Sequence, residues 1–235
     1  MNLRYVCVPG ILPLLTLANE SSWTPQGSVG VDLANAYIFR GATAVDSPVA
    51  QPSVQLQPWP GLFLGMWGNI ALDSDHGRYP EREFTEVDLS VSYSLPFDAL
   101  PVSVGWVEYL YPHADSGPDR EVSLSVAPNL PLSPSLTAFW GVDGVVRHEL
   151  YTEGSLAHEW AWFDEQLRVR MTGTLAWRYS PERATGFSHA ALGLTIPYRF
   201  LALSTLWMIP IDDRVLPDDV FDRPLLFTLS FRANF

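Results

Sequence analysis

The stretch FTEVDLSVSYSL, residues 84–95, alternates without a break: Val87, Leu89, Val91, Tyr93 and Leu95 fall on one side, and Glu86, Asp88, Ser90, Ser92 and Ser94 on the other. Period two is the geometry of a β-strand, whose successive side chains point to opposite faces, and a helix cannot separate these two sets. The pattern returns in LRVRMTGTLAWRY, where Leu167, Val169, Met171, Leu175, Trp177 and Tyr179 oppose Arg168, Arg170, Thr172, Thr174 and Arg178. It returns again in LLFTLSFRANF, with Leu225, Phe227, Leu229, Phe231, Ala233 and Phe235 on one face. Twelve segments of this kind are predicted, near residues 28–41, 51–58, 62–72, 84–95, 101–111, 120–127, 135–145, 151–162, 167–179, 187–198, 200–209 and 225–235. An even number suits an all-β, closed antiparallel barrel with both chain ends on one side.

The connections supply an independent sign of the same architecture. Alternate ones are long and charged, as in DSDHGRYPERE, PHADSGPD, YSPERATG and PIDDRVLPDDVFDRP, whereas the others are short or proline-rich, as in PWPG, PFDALP, PNLPLSP and FDEQ. Long loops outside and short turns in the periplasm are the asymmetry of transmembrane outer-membrane barrels. A soluble sandwich or lipocalin-like barrel would alternate too. The apolar sets, however, carry more Leu, Val, Trp and Tyr than one small core needs, and segments of about nine to eleven residues match a tilted bilayer crossing. The apolar stretch FSHAALGLTIPYRFLALSTLWMIP could suggest a membrane helix, but Pro197 and Arg199 near its centre oppose one. Two strands meeting near Arg199 are expected there.

Composition narrows the compartment and the partners. Residues 1–18 have a basic start at Arg4, an apolar run, and Thr16 and Ala18 where a signal peptidase requires small residues, so a cleaved leader and a single barrel domain over 19–235 are expected. The one cysteine, Cys7, lies in that leader, which leaves no disulfide or thiolate chemistry to the exported chain. A formal charge of -12 without a basic cluster argues against nucleic acid as a partner. The expected partners are outer-membrane lipid and lipopolysaccharide, the barrel assembly machinery and small solutes.

Charge on the polar faces is the most informative feature for function. By parity the lumen receives Arg40, Glu86, Asp88, Glu153, Glu159, Arg168, Arg170, Arg178, Arg199 and Arg232, with Asp32 and Asp143. Across the hairpin turned by FDEQ, Glu159 is expected near Arg168 or Arg170, and Glu153 near Arg178. Facing lipid, each such charge would cost about 2–4 kcal/mol near the midplane, whereas a wet interior tolerates it. Such a ladder either lines a narrow, charged pore or knits the interior shut, and a twelve-stranded bore is intermediate between filled and open barrels. The favoured function is passive diffusion of small solutes; the alternatives are a barrel enzyme acting on lipid or lipopolysaccharide, and a closed structural barrel.

Sites for other chemistry are sparse. The His–Ser spacing of two that a barrel hydrolase would need occurs on none of the predicted strands, since Ser74 and His76 fall in the long connection DSDHGRYPERE; Ser188 adjoins His189, but neighbours on a strand point to opposite faces. No phosphate loop, zinc-type pair or EF-hand spacing occurs, so no catalytic residue, cofactor or resident metal is expected. Asp212, Asp213, Asp218 and Asp219 put acid on the last long loop, where weak divalent binding competes with ordinary solvation. Aromatics near strand ends, including Trp59, Tyr109, Tyr111, Trp160, Trp162, Trp177, Tyr179, Tyr198 and Trp207, suggest girdles at the headgroup level.

LLFTLSFRANF, with Phe231 in the strand and Phe235 as its final aromatic, resembles the signal by which newly exported barrels are recognised for assembly. In order, NAYIFRGAT, LGMWGN, FTEVDLSVSY and WVEYLYP are similar to the bacterial TorF-type porins. The likeness rests on Tyr37, Phe39, Arg40 and Gly41, then Trp67, then Glu86 and Asp88, then Tyr109, Tyr111 and Pro112, and covers mainly the first half of the chain. It implies an outer-membrane barrel with passive transport and no defined catalytic residues.

Overall fold

Strands carry most of the described residues, because the alternation seen in the sequence lets each wall strand bury its polar face and expose its apolar one. The structure is a computed structural model and describes residues 23–75, 77–97, 100–115, 117–162 and 167–235; the expected leader and the FDEQ turn lie outside these. The strands are β1 (Gln26–Ala34), β2 (Tyr37–Phe39), β3 (Ala42–Val45), β4 (Val49–Trp59), β5 (Leu62–Ala71), β6 (Phe84–Leu95) and β7 (Val102–Leu110). They continue with β8 (Asp119–Val126), β9 (Ser135–Asp143), β10 (Leu150–Trp162), β11 (Leu167–Tyr179), β12 (Gly186–Tyr198), β13 (Leu201–Pro210) and β14 (Leu225–Asn234). Twelve of them close an antiparallel barrel in the order β1-β14-β13-β12-β11-β10-β9-β8-β7-β6-β5-β4, and β2 pairs only with β3. The apolar stretch around Arg199 is two paired strands, β12 and β13, and no described helix is long and apolar enough to cross a membrane.

The wall is inside out relative to a soluble protein. On β6, Leu89, Val91 and Tyr93 are 41%, 39% and 43% exposed, while Glu86 and Asp88 retain 6% and 8%. A soluble barrel would show the reverse, since water on the outside rewards the polar set. One end of the barrel carries short turns. Between β4 and β5 the turn is Pro60–Gly61, where proline presets one φ and Gly61 supplies the positive φ of 79°. The other end carries the long segments 35–48, 72–83, 111–118 and 211–224, together with 144–149 and 180–185.

The first expected strand, 28–41, divides into two pieces. Asn35 ends β1 by replacing a backbone rung: its Nδ2 donates to the Leu225 carbonyl at 3.1 Å and its Oδ1 accepts from the Phe227 amide at 2.7 Å. The chain then leaves the wall as the β2–β3 hairpin. Arg40 and Gly41 form its two-residue turn, with φ of 50° and 88°, the left-handed pair that matches strand twist in tight hairpins. Arginine in that region costs about 1–2 kcal/mol, so Arg40 sits there only if its side chain finds compensating partners.

Two other expectations need correction. Arg199, taken as a lumen residue, occupies the turn between β12 and β13 with a φ of 55° and is exposed; its guanidinium lies over the Tyr198 ring at 5.4 Å. Asp143, also assigned to the lumen, faces outward. An irregularity between Arg120 and Glu121 shifts the β8–β9 register, so Arg120 bonds both Glu108 (2.7 Å) and Asp143 (2.6 Å) on the outer face at the loop end. Parity fails across a bulge because one residue is added to one strand only.

Closure depends on β1 pairing β14 on one side and β4 on the other. Gly27 and Phe235 exchange two backbone hydrogen bonds, of 2.8 and 2.9 Å, at the turn end of this seam. A Cβ on Gly27 would stand 2.5 Å from the Phe235 ring, so glycine lets the ring lie across the strand. Gly27→Val is expected to reduce the yield of the folded form that migrates fast on a detergent gel before heating, with Gly27→Ala intermediate. Equal yields for all three would show that the seam does not need this close approach.

Candidate functional site: a caged arginine in the barrel mouth

The β2–β3 hairpin lies within the loop end of the barrel, and its base packs against the wall. Tyr37 and Val45 join Ala34, Val49 and Ala71 in a buried apolar cluster, with Trp67 against Tyr37 at a ring distance of 5.3 Å. Polar ties reinforce this anchoring. Thr43 Oγ1 accepts from the Asp222 and Arg223 amides at 3.1 and 3.2 Å, Asp46 pairs with Arg223, and the Asp46 amide donates to Asp75 Oδ1 at 3.1 Å. The tip touches the opposite wall: a Cβ on Gly41 would meet His189 Nδ1 at 2.6 Å and Leu216 Cδ2 at 3.0 Å, so only glycine fits.

Arg40 extends from this tip and is the best-coordinated cation among the described residues. Its Nη1 donates to Glu121 Oε1 at 2.8 Å and its Nη2 to Glu121 Oε2 at 2.5 Å, a two-pronged match of guanidinium and carboxylate. Tyr109 Oη accepts from Nη2 at 3.4 Å and donates to Glu121 Oε2 at 2.8 Å. Three rings complete the surroundings, with the guanidinium carbon 4.5 Å from the centre of Tyr151, 4.8 Å from Phe39 and 4.9 Å from Phe139. The side chains of Arg40 and Glu121 are only 8% and 1% exposed. A charge so far from water is tolerable because every face of it meets a carboxylate, a hydroxyl or an electron-rich ring.

The remaining carboxyl groups of the mouth are held against its wall. Glu86 and Asp88 lie on the same inward face of β6, and Glu86 Oε1 and Asp88 Oδ1 are buried with no hydrogen-bond partner among the described residues. Glu153 accepts from the Tyr151 hydroxyl at 2.8 Å, and Asp119 accepts from Tyr111 Oη at 3.1 Å and the Val145 amide at 2.6 Å. Arg178 does not reach Glu153, because the β10–β11 register sets it opposite Tyr151; its partner is Glu149, at 4.0 Å. Tyr109 and Tyr111 therefore belong to the interior and not to an outer girdle. Trp59, Trp160, Trp162, Tyr179, Tyr198 and Trp207 do face outward.

Towards the turn end the wall changes character. Short polar side chains line it, with Ser94 and Ser103 3.2 Å apart, Ser125 and Thr137 2.9 Å, Ser135 and Ser155 2.7 Å, and Thr195 and Ser204 3.0 Å. Ser92, Ser123, Thr172 and Thr174 point inward yet stay half-exposed, which requires open space beside them. Arg232 pairs with Asp32 at 3.1 Å and reaches Ser53 at 3.5 Å. Glu159 faces Arg170 in register and pairs with Arg168 at 3.4 Å, as the alternation implied.

Ser188 and His189 depart from simple alternation. The β11–β12 register shifts between Ala176 and Trp177, so both are buried, with Ser188 Oγ 3.1 Å from His189 Nδ1. His189 lies 6.5 Å from Tyr151 in a near-parallel stack, against the hairpin tip. On the outer loop, hydrogen bonds from the Arg214 side chain and amide hold the Asp212 carboxyl below its ordinary range. No group of three or more metal-ligating side chains is present among the described residues.

The key partners missing from the sequence reading are Glu121, Phe139 and Tyr151. Tyr151 shares the inward face of Glu153, which parity had assigned there, and Glu121 and Phe139 share those of Ser123 and Thr137, so the same alternation could have found all three. That they converge on Arg40 could not be read, because it depends on a hairpin leaving the wall.

Comparison with known proteins supports the architecture. Residues 18–130 match a family described as "Bacterial protein of unknown function (Gcw_chp)". No curated protein matches. Among solved structures, one described as "Unveiling the Mechanism Behind the in-meso Crystallization of Membrane Proteins" aligns with a TM-score of 0.54 at 9% identity, over 89% of this chain and 84% of that one. Salmonella typhi OmpF in complex with daunomycin gives 0.39 at 8% identity, over 90% and 97% of the two chains. Outer membrane phospholipase A from Escherichia coli gives 0.43 at 11% identity, over 88% and 91%. Its closed ring of twelve antiparallel strands with an apolar outer wall makes the fold a barrel of the outer-membrane type.

Removing one partner of a buried ion pair strands the other. Glu121→Gln is expected to lower unfolding stability in detergent by about 3 kcal/mol, read as a shift in urea midpoint. An unchanged midpoint would mean that the pair contributes nothing to holding the hairpin.

Proposed function

We propose that the protein resides in the bacterial outer membrane and passes small solutes by diffusion through its lumen, with the β2–β3 hairpin as the constriction. The observation that carries this reading is the turn-end half of the interior, where Ser92, Ser123, Thr172 and Thr174 point inward and keep partial exposure beside the buried Phe63 and Gln57. Water held there would keep the Arg168–Glu159 and Arg232–Asp32 pairs solvated, and would set a transverse field across a narrow path. The short turns would then lie in the periplasm and the long loops outside. The outward apolar face would contact lipid and lipopolysaccharide, and the apolar face of β14 would meet the assembly machinery.

This reading assigns no catalytic chemistry. A barrel hydrolase needs its serine and histidine where lipid can reach them; Ser188 and His189 are 2% and 3% exposed and face the hairpin from inside. Their contact serves to shape the wall that receives Gly41.

If the hairpin tip limits passage, loosening it should widen the path. Arg40→Ala in planar bilayers is expected to raise single-channel conductance at least about twofold over the unaltered protein, since the tip loses its ion pair and three ring contacts. Silence of both proteins in well-folded preparations would exclude the diffusion role and favour a closed structural barrel.

A further inference from the structure

The Arg40 pocket has the composition of a receptor for a cation. Apart from Phe39, every group around the guanidinium belongs to the barrel wall: Glu121 and Tyr109 through hydrogen bonds, Phe139 and Tyr151 through their ring faces. The wall therefore presents a cage complementary to a guanidinium, and the hairpin tip supplies one. We infer that this cage binds guanidinium-bearing solutes, with Arg40 as its built-in occupant, so that an entering solute takes the cage as the tip withdraws. The inference rests on the diffusion reading for its biological sense, but the binding itself does not require conduction.

The build of the mouth favours exchange over a permanent lock. The anchoring of the hairpin lies at its base, at Thr43, Asp46, Tyr37 and Val45, while the tip is held mainly by Arg40 and the fit of Gly41. The two-pronged bond to Glu121 selects a planar guanidinium over an ammonium, which cannot present two parallel N–H groups.

The test refills the cage from solution. In detergent-folded Arg40→Ala, ethylguanidinium at about ten times its Kd is expected to raise the unfolding midpoint by about 3 °C, while equal ethylammonium or sodium raises it far less. In Arg40→Ala/Glu121→Gln, which leaves no stranded charge, the shift should vanish although the barrel folds. A midpoint that ignores ethylguanidinium in Arg40→Ala, that moves equally in the double variant, or that responds equally to ethylammonium overturns the assignment. A shifted midpoint in a protein that never conducts would keep the cage and refute diffusion, so the two readings fail separately.

Discussion

A strand in hydrocarbon has nowhere to satisfy its backbone except a neighbouring strand, and this constraint organises the whole molecule. It demands a closed ring, which β1 completes by pairing β14 and β4 at once. It also demands that polar side chains turn inward, which gathers most of the charge of the wall strands in the lumen. The Arg40 cage is a consequence of both. The neighbouring strands β8, β9 and β10 set Glu121, Phe139 and Tyr151 side by side, and closure lets the hairpin between β1 and β4 reach them from across the ring.

The hairpin shows how a strand signal can be correct locally and misplaced globally. Residues 37–45 pair as strands, but with each other. Nothing in the alternation of 28–41 marks the exit from the wall, because Asn35 ends β1 through contacts with Leu225 and Phe227, almost two hundred residues away in the chain. The turn residues carry the local clue. Arg40–Gly41 is followed by small Ala42, a sequence suited to a tight hairpin and unsuited to a continuous wall strand.

Twelve wall strands and the inward placement of Glu86, Asp88, Glu153, Arg168, Arg170, Arg178 and Arg232 follow from period two alone, and the order of long and short connections is legible beside it. The failures share one cause. Asp143 and Ser188 lie beside register shifts, and Arg199 lies in a turn, so a count of two along the chain loses its reference at each. Partner identity fails for a related reason: Glu153 and Arg178 share a face, but the register puts Tyr151 between the expectation and the fact. Parity fixes the side of a wall, whereas pairing needs the register, which only the folded barrel sets.

The central claim is that water fills the inside of the wall and lipid covers its outside. Single cysteines at neighbouring positions of β6 test it directly, in protein freed of Cys7 and reconstituted in vesicles. Ser92→Cys should react with a charged, water-soluble thiol reagent and Val91→Cys should not. Reaction at position 91 with protection at position 92 would contradict the account, placing water on the apolar face and a dry core within.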